Sequence, residues 1–476
     1  MTARLLVTTP AGRPAEREWI ARVLLENYLG QAVDVATWER DVTAITCAGH
    51  DGSLAVPDGL LGAPPAVWLT SATLPAEPLR WLHPSECVGR NDLPFDRVPA
   101  IYWPATNQTA RRPTAADAQA VEIPFDLFGG AFFMLTRYEE CLSPIRDKYG
   151  RFPASASLAL RQGFLETPVV DQYAELLWTA LNRLWPALPR PARQYRLWVS
   201  HDVDSPFFVY RRDRLRLVAS ALREGAADLL MRRDVALAAR RARAMSATLV
   251  HGAKADPHFN LQSVMDIDEA HQVRATYFYM ADNRGPYGVS YSLDDPEIRG
   301  LLRITRSRGH EIGLHASYGS MCDAGALNSE WLRLRSVAAS LGIEQASWGS
   351  RAHFLRWSAR TGFGDADGAG ADFDNTLTYA DQAGFRCGTC REYAAFDLRD
   401  SRALRLRVRP LIAMESSVID PQYMGKTPGS DALDVFRRLA RQCETYGGTF
   451  ALLWHNHRLL AAPERRLYEA VLEECS

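Results

Sequence analysis

The sequence predicts an α/β protein in two parts: a smaller N-terminal α/β domain over residues 1–190 and a C-terminal parallel-sheet domain over residues 191–476. Three observations predict it. From Tyr195 onward, apolar strand patterns alternate with amphipathic helical patterns, the signature of a parallel sheet, open or closed. Polar residues stand just past the C-terminal ends of those strands, where such sheets build their sites. Between the parts, Pro186, Pro189 and Pro191 crowd the stretch from Trp185 to Arg193 and mark a connector.

In the first part, Ala66 to Leu69 and Pro99 to Trp103 read as short buried strands. Asp126 to Cys141 carries Phe128, Phe132, Phe133, Leu135 and Tyr138 at mostly helical spacing, so its aromatic stripe reads as core. Val169 to Leu184 makes a second amphipathic helix. This part holds no clustered set of His, Cys and carboxylates. In the second part, the strand Tyr195 to Val199 runs into Ser200-His201-Asp202-Val203-Asp204, and a helical insertion follows over 205–270. Next come a strand at Ala275 to Met280, a helix at Pro296 to Arg308 and a strand at Glu311 to His315. A helix at Ser329 to Leu341 then leads to a strand at Ala346 to Trp348. The chain closes with a strand at Leu404 to Ile412, a helix at Asp431 to Tyr446, and a strand at Thr449 to Trp454 that ends in His455-Asn456-His457.

Composition narrows the function. With 55 Lys+Arg against 56 Asp+Glu, the 476-residue chain has no overall basic field, which argues against a nucleic-acid partner. A 47% hydrophobic content with 12 Trp is material for packed cores, not disorder. No apolar run is long enough for a transmembrane helix, and the first residues lack the apolar stretch of a secretory signal, so the expectation is a soluble cytoplasmic enzyme. Eight cysteines, scattered except for Cys387 and Cys390, read as reduced thiols, and that pair reads as structural. The stretch Arg211 to Arg243 holds ten arginines against four acidic residues. It reads as a solvated amphipathic helix pair; the alternative is a patch for an anionic substrate or for peripheral contact with an acidic membrane surface. Oligomeric state is not written in the sequence.

Chemistry concentrates at the strand ends. Asp202 and Asp204 lie two apart and point to one side, whereas His201 and Val203 point to the other. Two carboxylates on one side can divide labour, one holding a cation and one accepting a proton. His315, Arg351 and His455 each follow a later strand.

This ordered set resembles the polysaccharide deacetylases of carbohydrate esterase family 4, the NodB-homology group. The resemblance rests on the Asp motif, on Arg308-Gly309-His310-Glu311-Ile312-Gly313-Leu314-His315, on Arg351 and on Leu453-Trp454-His455; Ala275-Thr276-Tyr277-Phe278 is similar to the family's second strand. The whole chain is similar to a bacterial subgroup in which an uncharacterised N-terminal domain precedes the deacetylase domain, through Asp126 to Phe128, Leu135 to Glu140, Gly150 to Pro153 and Gly384 to Cys390. The resemblance implies a distorted (β/α)7-type barrel and metal-dependent removal of an N-acetyl group from a sugar. By the same resemblance Asp202 is the general base, Asp204 and His315 are metal ligands, Arg351 pairs with Asp202, and His455 is the general acid.

Two departures from the family pattern matter. Val203 separates aspartates that the family places side by side, which leaves base and ligand less sharply assigned. The family's second ligand His falls four residues after the first, at Gly319. His310 cannot fill that gap, because it lies five residues back along the same strand, about 16 Å from His315. His201 points away while the strand stays regular but can turn in where it ends; Ser317 is a poor ligand, and water can complete the shell. His353, two residues beyond Arg351, is the preferred substitute as a third metal ligand. The ion is expected to be zinc, with cobalt, nickel or manganese also accepted by an Asp/His set. Tyr318 is expected to close the pocket and offer its backbone N–H to an oxyanion, Asp374 to touch substrate, and His457 to lie at the surface. The expected function is an N-deacetylase of a carbohydrate or sugar precursor in cell-surface polysaccharide assembly. The alternatives are a non-catalytic carbohydrate-binding relative and a metal hydrolase acting on an O-ester or a non-sugar amide.

Overall fold

The computed structural model describes residues 4–104, 120–207, 252–282, 287–320 and 323–476, with isolated positions between 239 and 250. Of the expected insertion over 205–270 it describes the turn Ala253–Ala255 and the helix Leu261–Ala270. Nearly all of the arginine-rich stretch 211–243 lies outside the described residues.

The N-terminal part contains β1 (Leu5–Pro10), β2 (Val33–Trp38), β3 (Val42–Cys47), β4 (Ser53–Pro57), β5 (Arg80–Leu82), β6 (Val98–Ala100) and β7 (Ala120–Glu122). Five of these form a mixed sheet in the order β2-β1-β3-β4-β7, and β5 pairs with β6. The helices Leu127–Leu135 and Val169–Leu184 pack on each other and on β4. The expected long helix from Asp126 breaks at Arg137, whose φ of 55° ends one helix before Tyr138–Leu142 begins another. The aromatic stripe is core, as its spacing indicates: Phe128, Phe132, Phe133 and Tyr138 are all buried. Ala66 to Leu69 is not a strand. Pro64 and Pro65 fix φ and remove two ladder donors, so the chain makes a tight turn over Pro65–Val67, and Trp68 lies beneath the Arg13 guanidinium at 4.1 Å.

The C-terminal part contains β8 (Arg196–Val203), β9 (Thr276–Tyr279), β10 (Glu311–Ala316), β11 (Gly349–Ala352), β12 (Phe373–Asp374), β13 (Tyr393–Asp397), β14 (Arg402–Val408), β15 (Ala413–Met414) and β16 (Thr449–Leu453). They form one nine-stranded sheet, β13-β14-β12-β11-β10-β9-β8-β16-β15. Every pairing is parallel except β13 with β14. The sheet is strongly curled. Trp198 on β8 and Phe373 on β12 are four strands apart, about 19 Å if the sheet were flat, yet their ring centroids are 6.1 Å apart. Together with Phe278, Met414, Ala451 and Leu453 they fill the inside of the arc. Gly349 makes room there, since a Cβ on it would come within 2.1 Å of the Phe373 ring. Among the described residues no pairing joins the two edges, so the sheet differs from a closed seven-strand barrel in strand number and closure. The strand expected at Ala346 starts later, at Gly349, because the Gln345 side chain occupies the backbone positions of Ile312 that a strand neighbour would take.

One hydrophobic core runs through both parts. Trp19 and Phe132 both pack on Phe396, with centroids 5.2 Å and 5.6 Å away. Buried charge crosses the same junction: Arg386 grips Glu140 through two hydrogen bonds of 2.9 Å and 2.6 Å, and Arg137 reaches the Tyr379 hydroxyl at 3.0 Å. These contacts clothe the irregular, buried segment from Asn375 to Arg391.

Candidate active site

Strand β8 runs through Val203, so strict alternation carries past the last apolar residue. Ser200 and Asp202 face one side, and His201 faces the other. There His201 Nδ1 donates to the Trp454 carbonyl at 2.7 Å, and Nε2 lies 3.1 Å from Asp268. His201 is therefore a buried structural residue of the outer face. On the inner side, Arg351 from β11 donates to Asp202 Oδ1 at 2.7 Å and to Ser200 Oγ at 2.6 Å. It also bonds the Asn375 carbonyl at 3.2 Å and the Asn375 side chain, with its guanidinium 4.4 Å from the centre of the Phe278 ring. Asp202 thus has one oxygen fixed by a fully buried cation and leaves Oδ2 facing the site.

Parallel register sets His315 on β10 directly beside Arg351. His315 Nδ1 lies 3.0 Å from the Arg351 carbonyl, which only accepts, so Nδ1 carries the proton and Nε2 turns to the aspartates. Nε2 is 3.1 Å from Asp204 Oδ1 and 3.7 Å from Asp202 Oδ2. Both His315 Nε2 and Asp204 Oδ1 are buried without a hydrogen bond. Orphaned buried polar atoms are costly, and two aimed at each other call for a shared partner. His353, in the turn after β11, completes the group: its Nε2 is 4.0 Å from Asp204 Oδ2, and one ligand atom from each of the three residues lies within 4.8 Å of the others. Two atoms about 2.0–2.2 Å from one ion at a tetrahedral angle are about 3.3 Å apart, close to the His315–Asp204 separation. The donor set fits a divalent transition ion. Burial opposes charge on Asp204, but His315, His353 and His455 outweigh it and hold the carboxyl well below the usual range. Burial pushes the His353 imidazole down to about 4.

His455, just past β16, also faces the aspartates, its Nε2 3.6 Å from Asp204 Oδ2 and 4.0 Å from Asp202 Oδ2. Its Nδ1 meets Glu415 Oε1 at 2.6 Å. Burial resists the imidazolium, but fully buried Glu415 outweighs it and raises His455 to about 9. Glu415, Ser200 and Asn375 escape a reading of the sequence. Glu415 carries the same signal as Asp202, a carboxylate at the end of an apolar run, Leu411-Ile412-Ala413-Met414, but β15 is only two residues long. Ser200 and Asn375 are neutral residues whose role shows only through Arg351.

The other expected residues fall differently. The Tyr318 hydroxyl donates to the Tyr149 carbonyl at 3.1 Å, and its ring packs with Tyr287 and Phe354 at the rim. Asp374 is buried at the end of β12, and its oxygens receive Ser350 Oγ, Thr376 Oγ1 and the Thr376 N–H. His457 is half-buried: it stacks on His258 with centroids 6.1 Å apart, and burial pushes it down to about 3. The space beside Gly319 is open, with nothing within 4 Å of where a Cβ would stand. Cys387 and Cys390 are buried free thiols, Cys390 packed against Gly448.

Among the described residues, no helix is long and apolar enough to cross a membrane. Residues 5–186 match the model of a family of unknown function, DUF7033. No curated protein matches the chain. Two solved structures share similarity over 60% of the chain. One is a protein assigned as a polysaccharide deacetylase from Mycobacterium smegmatis, at 16% identity and a TM-score of 0.38 over 85% of its length. The other is PuuE allantoinase, at 12% identity and a TM-score of 0.34 over 88% of its length.

Proposed function

We propose that the protein is a metal-dependent hydrolase that removes N-acetyl groups from a carbohydrate or sugar precursor in the assembly of a cell-surface polysaccharide. The observation that carries this reading is the pair of buried atoms His315 Nε2 and Asp204 Oδ1, 3.1 Å apart and with no partner but each other, beside His353. Asp204, His315 and His353 would hold the ion, with zinc the best match and cobalt, nickel or manganese compatible. When bound, the ion polarises the amide carbonyl and stabilises the oxyanion.

The chain's own groups do the rest. Arg351 keeps Asp202 ionised and oriented, and Asp202 Oδ2 accepts the proton of the attacking water. His455 Nε2, 4.0 Å from that oxygen, donates a proton to the departing nitrogen. Glu415 holds the charge that makes His455 a donor. An amine departs only when protonated, so a histidine paired with a buried glutamate favours a C–N bond over an O-ester. The resemblance of the motif residues to carbohydrate deacetylases supports a sugar as the carrier of the acetyl group.

The test is acetate release by zinc-loaded protein from a panel of N-acetylated sugars, O-acetyl esters and non-sugar amides. Release from the sugar amides, lost in Asp202→Asn and His315→Ala, is expected. No acetate from any sugar amide would sink the reading: release from the esters or non-sugar amides would leave a hydrolase of another bond, and none from the whole panel a binding protein.

A further inference from the structure

His353 stands on a turn that ordinary side chains avoid. Phe354 (φ 60°, ψ 10°) and Leu355 (φ 56°) are successive non-glycine residues in the left-handed region. Such a conformation persists only where the surroundings fix it. Tyr287 and Tyr318 pack on the Phe354 ring from the C-terminal part, and the ties to its backbone and flat face come from the N-terminal part. Arg151 Nη1 donates to the Phe354 carbonyl at 3.3 Å, and the Tyr149 ring stacks on the Phe354 ring, centroids 4.9 Å and planes 25° apart. Arg151 is only 8% exposed and is itself anchored by Asp147 at 2.7 Å and the Tyr423 hydroxyl at 3.2 Å.

A second tie closes the loop. The Tyr318 hydroxyl donates to the Tyr149 carbonyl at 3.1 Å, and Arg356 donates to the Tyr318 carbonyl at 2.8 Å. Gly150 between them has φ 74°, and a Cβ there would come within 3.1 Å of Arg356 Nε, so the loop passes flat against the turn. The Phe354 ring in turn lies 4.4 Å from the His353 ring, which is 5.1 Å from His315.

We propose that the segment from Asp147 to Arg151 is a clamp that positions the candidate metal centre from the N-terminal part. Arg151 and Tyr149 hold the left-handed turn and so set where His353 stands against Asp204 and His315. With glycine at position 319, His353 is the third protein ligand, and its placement depends on a loop some two hundred residues earlier in the chain. Neither Arg151 nor Tyr149 touches a reacting group; both are positioning residues. The proposal rests on the reading of Asp204, His315 and His353 as a metal site.

The experiment is zinc affinity by chelator competition on the full chain. Arg151→Ala is expected to weaken binding by roughly 10–100-fold, as loss of an outer-shell support does, and Arg151→Lys, which keeps a donor for the Phe354 carbonyl, to recover much of it. On a His353→Ala background, Arg151→Ala is expected to change nothing, because its effect passes through His353. The same penalty on both backgrounds, or none on the wild type, would overturn the proposal. Hydrogen exchange at the Arg356 amide, which bonds the His353 carbonyl at 3.2 Å, reads the turn without metal. It is expected to quicken about tenfold in Arg151→Ala, and unchanged exchange would refute the clamp. Failure of the metal reading shows separately, as wild-type protein that takes up no zinc. Should Arg151→Ala not fold, Tyr149→Ala removes the ring that stacks on Phe354 and leaves the Arg151 charge and its hydrogen bonds in place, and it carries the same expectations.

Discussion

Removing Arg351 tests whether Asp202 is held by one buried cation. The guanidinium is fully buried, makes hydrogen bonds to Asp202, Ser200 and Asn375, and lies over Phe278. Arg351→Ala leaves a carboxylate that is 3% exposed without its hydrogen-bonded cation, with only the imidazoles of His315 and His455 near it, at 3.7 Å and 4.0 Å. Breaking a buried pair by deleting one partner costs about 3–5 kcal/mol, mostly from the charge left behind. That is roughly two to three and a half orders of magnitude in the folded-to-unfolded ratio. Urea unfolding followed by tryptophan fluorescence measures it, and a cycle with Asp202→Asn isolates the pair. A neutral amide at 202 is cheaper to bury, so the double variant is expected to be more stable than Arg351→Ala alone. Stability within about 1 kcal/mol of wild type for Arg351→Ala, or simple additivity of the two substitutions, would refute the reasoning.

Other expectations follow from the same geometry. His455→Ala is expected to lower kcat by about 10²–10⁴ with zinc content unchanged, and Glu415→Gln to lower it by a smaller factor; an unchanged kcat in both would remove the acid role. At the junction of the two parts, burial opposes charge on Glu140, but Arg386 and Arg137 outweigh it and hold its carboxyl below the usual value. The folded state therefore binds fewer protons here than the unfolded chain. The stabilisation is full above the unfolded value near 4.3 and is lost as pH falls through the folded one. Thermal melting from pH 7 to 3.5 is expected to show this loss, with a flatter acid limb in Glu140→Gln; an identical acid slope in that variant would contradict it.

Much of the C-terminal part is legible in the sequence because its signals are local. The helices over Pro296–Ser307 and Ser430–Thr445, the strands carrying Asp202 and His315, and the strand that runs out to His455 follow from periodicity within a few residues. Two kinds of feature are not legible. Pro64-Pro65 overrides an apolar run with backbone chemistry, and the Gln345 side chain postpones β11 by imitating a strand neighbour. The others are long-range. Nothing near Glu415 announces His455, and nothing near Arg151 announces Phe354, because each pair is joined only by tertiary packing. The segment from Asn375 to Arg391 has no periodicity to read: it is buried and irregular, and its Tyr379, Arg386 and Arg391 meet Arg137, Glu140 and Asp171 from the other part.

The most direct test of the central claim is elemental analysis of the full chain purified without chelator. One divalent transition ion per chain is expected in the wild type, and none in Asp204→Ala or His315→Ala proteins that remain folded by circular dichroism. A folded wild-type chain that holds no ion, even after exposure to zinc, would contradict the assignment of Asp204, His315 and His353 as a metal centre.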